Sequence, residues 1–103
     1  MLTIDMRGSK KKIETILEEH STDFSREIIN SICEAVDNDI SRVTCLILIT
    51  DSEEFSFTAS RSYYVDALQT NILTMIKTEE YEVCAKAKKY IDKLSIKLLE
   101  NSK

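Results

Sequence analysis

The chain has 103 residues but no proline, no tryptophan, a single glycine (Gly8) and a single histidine (His20). So few chain breakers exclude long structured loops and favour regular elements joined by short connections. No apolar run approaches the ~18 residues that span a bilayer, so no membrane partner is expected. No apolar signal core opens the sequence, which points to a cytoplasmic setting. The three cysteines, Cys33, Cys45 and Cys84, are an odd and scattered set without CxxC spacing. They read as reduced core thiols rather than a disulfide framework or a metal site. The patterns GxSxG, HExxH, DxDxDG and GxGxxG are all missing, and Gly8-Ser9-Lys10 lacks the first glycine and spacer of a phosphate-binding loop. With one histidine, at the end of a helical stripe, there is little acid–base machinery. No enzymatic activity, cofactor or metal is expected.

What the chain does have is a break in rhythm. Residues 43–50, Val-Thr-Cys-Leu-Ile-Leu-Ile-Thr, are β-branched and apolar on both alternating faces. The acidic turn Asp51-Ser52-Glu53-Glu54 follows, and then Phe55-Ser56-Phe57-Thr58-Ala59 alternates cleanly. This pattern predicts a β-hairpin over residues 43–59, with its first strand covered on both faces. Leu2, Ile4 and Met6 alternate with Thr3 and Asp5, an edge-strand candidate over residues 2–6 that ends at Gly8. A third strand matters because two alone are marginal.

Elsewhere the period is helical. Ser9 is a candidate cap for a helix carrying Ile13, Ile16, Leu17 and His20. Phe24, Ile28, Ile29, Ile32, Ala35 and Val36 continue the spacing, with a break near His20–Thr22. After the hairpin, Ser60 or Ser62 would cap a helix through Val65, Leu68, Ile72, Met75 and Ile76. Thr78 would cap a fourth, whose early Glu79, Glu80 and Glu82 and later lysines suit the helix dipole. Its seam is Cys84, Ala87, Ile91, Leu94 and Leu98. The expected architecture is one α+β domain: a small two- or three-stranded sheet packed with about four helices, in the order β-α-α-β-β-α-α.

Three surfaces are candidates for function. The first joins the acidic turn Asp51, Glu53 and Glu54 to the connector residues Arg61 and Tyr63, residue types that dominate binding hot spots. The second is the basic run Arg7, Lys10, Lys11 and Lys12, which would meet an anion or a nucleic-acid backbone. The third is Ile96 with Leu99, which project from the fourth helix away from its seam and suggest a homodimer contact.

The net charge of −4 disfavours a long polyanion. Outside the basic run, ten basic residues face eighteen acidic ones. The lysine- and isoleucine-rich bias (ten lysines to four arginines, thirteen isoleucines to four valines) looks like a low-GC genome. The chain is short, acidic and nearly glycine-free, with a hairpin followed by helices. In this it resembles the small accessory and inhibitor proteins of phages and mobile elements. The resemblance implies a non-enzymatic protein-binding module that occupies a basic surface of another protein. The alternative is a nucleic-acid-binding regulatory module that uses residues 7–12.

Overall fold

The structure is a computed structural model that describes the backbone of residues 1–101 and the side chains of residues 1–96. Strand β1 (Leu2–Asp5) is followed by helices α1 (Ile13–Glu19) and α2 (Ser21–Asp37). Strands β2 (Arg42–Ile49) and β3 (Glu54–Ser60) form the hairpin. A 3₁₀ turn (Arg61–Tyr63) then leads into α3 (Tyr64–Lys77) and α4 (Tyr81–Asn101). The fold is α+β, with the expected order and a three-stranded sheet. β2 is central, parallel to β1 and antiparallel to β3.

The register sorts the side chains. Leu2 and Ile4 lie beside Leu46 and Leu48, which pair with Phe57 and Phe55. These residues share the sheet face that the helices cover. Thr3, Asp5, Ile47, Ile49, Glu54 and Ser56 share the other face, and among the described residues no helix covers it. The expectation that β2 is covered on both sides is therefore corrected: Ile47 and Ile49 are only half-buried. Their flanks are shielded by neighbouring strand side chains, which lets one face stay open. Cys45 is the extra residue of a bulge between Thr44 and Leu46, and it is fully buried.

The main core joins α2, α3 and α4 to the sheet through Ile29, Ile32, Tyr64, Leu68, Met75 and Ala87, each fully buried. A smaller core of Met6, Ile16, Phe24 and Leu48 lies under α1. The amino group of Met1 meets Glu27 of α2 at 2.7 Å. Tyr90 of α4 donates to Asp37 at the end of α2 (2.6 Å), which pushes the phenol up to about 12.

Helix boundaries differ from the sequence reading in three places. α1 begins at Ile13, so Lys10–Lys12 precede the helix instead of opposing its dipole. Ser9 accepts from the Lys11 N–H and caps nothing. Neither Ser60 nor Ser62 caps α3; their hydroxyls pair with each other at 3.1 Å, and the 3₁₀ turn leads directly into the helix. Thr78 ends α3 instead of starting α4, because its hydroxyl donates back to the carbonyls of Thr74 and Met75. The break at His20 is where the periodicity placed it.

The ends of α2 and α3 share one device. Asp39 (φ 54°) and Glu79 (φ 60°) are left-handed residues. In each case the next N–H bonds back to the helix, Ile40 to Ala35 and Glu80 to Met75. This is a glycine-type cap built without glycine. Glu79→Gly is expected to stabilise the fold by about 0.5–1 kcal/mol. Thermal melting should show a rise of roughly 4 °C. Asp39→Gly should gain less, because it also removes a partner of Arg61. An unchanged or lower melting temperature for Glu79→Gly would count against this account.

Candidate functional site

The hairpin tip is a rigid turn. The Thr50 N–H and hydroxyl both donate to the Glu53 carbonyl (2.8 and 3.0 Å), and the Glu53 N–H donates back to that hydroxyl (3.0 Å). The Asp51 carboxylate faces inward. It accepts the N–H of Gly8 at 3.1 and 3.3 Å, which ties the tip to the loop between β1 and α1. Gly8 sits at φ +81° with open space where a Cβ would be, so backbone conformation alone calls for glycine.

The two charged candidate sites therefore lie together. Ser9, Lys11, Asp51, Ser52 and Glu53 line one hollow of about 220 Å³, with Ile13 and Phe55 as its apolar wall. Lys11 is the cation that lines it, and two of the four charges of the basic run are answered. Arg7 grips Asp5 through Nε and Nη2 (2.7–3.1 Å), which holds the Asp5 carboxyl down at about 2. Lys11 pairs with Glu19 at 3.0 Å. Among the described residues, Lys10, Lys12, Glu53 and Glu54 make no ion pair.

Behind the shared wall of Ile13 and Phe55 lies a second hollow of about 210 Å³. It is apolar and lined by Leu17, Leu46, Leu48 and Phe57. Leu17 and Phe55 are 43% and 42% exposed. Ile13 and Leu17 share the helical stripe of buried Ile16, so their spacing does not mark them as groove residues. The available signal was length: α1 has only seven residues and is too short to roof a face carrying two phenylalanines.

The other candidates are dispersed. Arg61 and Tyr63 stand at the opposite end of β3 from the tip, roughly 20 Å away along a seven-residue strand. The expected single patch of Asp51, Glu53, Glu54, Arg61 and Tyr63 is therefore not one surface of one chain. Arg61 donates to Asp39 (2.8 Å), and Tyr63 is exposed. Tyr64 is buried and donates to the Ile40 carbonyl (2.8 Å). Asp37 and Asp39 are also at that end, far from Asp51.

Ile96 is 57% exposed on α4, next to buried Leu94, whereas the Leu99 side chain lies outside the described residues. His20 is exposed, beside Asp23 (3.6 Å) and Phe24. Burial pushes the Cys33 and Cys45 thiols up to about 11, so neither is a ready nucleophile. Among the described residues no helix is long and apolar enough to cross a membrane. Comparison with protein families, curated proteins and solved structures finds no match.

Proposed function

We propose that this chain is a non-enzymatic protein-binding module, of the accessory or inhibitor kind, that docks a basic, apolar-faced segment of another protein. One observation carries the reading: Glu53, which makes no ion pair among the described residues, lines the hollow that shares the Ile13–Phe55 wall with an exposed apolar groove. An amphipathic segment could lay its apolar side chains on Leu17, Phe55 and Phe57 while a cation meets Glu53 beyond the shared wall, with Glu54 adding negative charge at the strand's start. The rigid turn supports this role, since pre-ordered side chains cost less to immobilise on binding. A nucleic-acid backbone fits less well. It would approach Lys10 and Lys12 past Asp51, Glu53 and Glu54, and Arg7 and Lys11 are already neutralised by Asp5 and Glu19.

Selection of displayed random peptides on the immobilised chain tests the reading. The selected peptides are expected to be rich in Lys and Arg, with apolar residues at helical spacing. Joint replacement Glu53→Lys and Glu54→Lys should weaken them about tenfold at low salt, and less at high salt. Amide shifts should map to Ile13, Leu17, Glu53 and Phe55. Peptides indifferent to the double replacement would defeat the proposal. Retardation of a DNA duplex that Lys10→Glu and Lys12→Glu abolish would favour the alternative.

A further inference from the structure

The two edges of the sheet are built differently. β1 is four residues long and ends in Asp5, locked to Arg7. Such short, charged strands discourage pairing with other chains. β3 is longer, seven residues, and its only charge is Glu54 at one end. Its residues 55–59, Phe-Ser-Phe-Thr-Ala, carry no charge, proline or glycine, and the bulge of the hairpin lies in β2. Ser56, Thr58 and Ser60 are exposed, and no element follows β3 in the sheet.

The hydrogen bonds at the two ends of β3 show which way its backbone points. The Arg61 N–H reaches Ser41, and the Glu53 carbonyl receives Thr50, so both face β2. By strand alternation the odd-numbered residues of β3 bond to β2, while Glu54, Ser56, Thr58 and Ser60 direct their N–H and C=O groups outward.

We infer that β3 is a homodimer edge, pairing antiparallel with β3 of a second copy about a two-fold axis at Phe57. In this register Phe57 faces its own copy as a non-hydrogen-bonded pair. Ser56 lies opposite Thr58, Phe55 opposite Ala59 and Glu54 opposite Ser60. Every outward group is used, giving about eight main-chain hydrogen bonds. The next positions place Glu53 opposite the partner's Arg61, so the ends of the ladder are charge-complementary. Arg61 gives Asp39 only Nη2, which leaves other guanidinium donors free for this contact.

Neighbouring registers are worse. A one-residue slip sets phenylalanines against the Ser/Thr face. A two-residue slip sets Arg61 against Phe55, or against Asp51, whose carboxylate already serves Gly8. Each also shortens the ladder. The two-fold axis also brings Glu53 and Glu54 of one copy beside Arg61 and Tyr63 of the other. The patch split across one chain is thus completed at each end of a dimer. The inference stands whatever occupies the apolar groove.

Light scattering on the full chain is expected to give a mass near twice 11.8 kDa. Ser56→Pro removes an outward N–H and leaves the hairpin's own ladder intact. It should weaken the dimer at least about thirtyfold, through two lost hydrogen bonds and a ring in the ladder, with an unchanged far-UV spectrum. The register has its own readout. In a Cys84→Ser background, Phe57→Cys should form an intermolecular disulfide on mild oxidation, because only residue 57 faces itself. Ser56→Cys should not. This crosslink decides the matter should Ser56→Pro fail to fold. A monomeric wild type, a dimer that survives Ser56→Pro and is dissolved by Ile96→Lys, or equal crosslinking at positions 56 and 57 would overturn the inference.

Discussion

Tyr64→Ala should unfold in urea with about 3–5 kcal/mol less stability than the wild type. Tyr64 is fully buried, the largest such side chain among the described residues. It opens α3, packs in the core shared by α2, α3, α4 and the sheet, and donates to the Ile40 carbonyl in the connection between α2 and β2. Truncation leaves a cavity where these elements meet and cuts the tie between the end of α2 and the start of α3. A domain of this size holds only about 5–15 kcal/mol in total, so the loss removes a large share of its margin. Tyr64→Phe separates the two contributions. It keeps the ring and loses one hydrogen bond to a carbonyl near the surface, about 1 kcal/mol. If Tyr64→Ala fell within 1 kcal/mol of wild type, the ring would not be a keystone of this core.

Ala87→Leu should cost about 1–3 kcal/mol, while Ala85→Leu two positions earlier should change stability by less than about 0.5 kcal/mol. Ala87 is 0% exposed on the face of α4 turned to α2 and α3; Ala85 is exposed. The helices approach closely because this position carries only a methyl group. Three extra carbons must push α4 outward or force neighbouring side chains off their rotamers. The displacement would also strain the Tyr90–Asp37 hydrogen bond one turn on. Chemical denaturation of the two variants side by side reads the difference. Equal stabilities would mean that α4 is not docked as described.

Much of this arrangement was legible because it rests on local pattern. Residues 43–59 depart from a helical period, and the break at His20 interrupts an otherwise steady stripe. The seam Cys84, Ala87, Ile91, Leu94 separates the covered side of α4 from the exposed Ile96. What was not legible depends on pairings distant in sequence. Nothing in Asp51 or Gly8 announces that they meet across 43 positions. Ser9 is a good cap by residue type, yet α1 starts only where the apolar period does, at Ile13, and leaves Lys10–Lys12 ahead of the helix. An apolar first hairpin strand suggested cover on both faces. Flanking side chains from two adjacent strands shade Ile47 and Ile49 enough to leave one face open. The groove escaped notice because Leu17 and Phe55 have the spacing of core residues, and only the shortness of α1 leaves them uncovered.

The parallel seating of β1 against β2 has a consequence for how the molecule comes into being. β1 is synthesised well before its hydrogen-bonding partner, which ends at Ile49. Both intervening helices must leave the ribosome before β1 has anything to pair with. Local helical contacts in α2 can form early, whereas this long-range closure must come late. A nascent chain arrested before residue 49 should therefore carry helix without a sheet, its amino-terminal segment still accessible to proteases and chaperones.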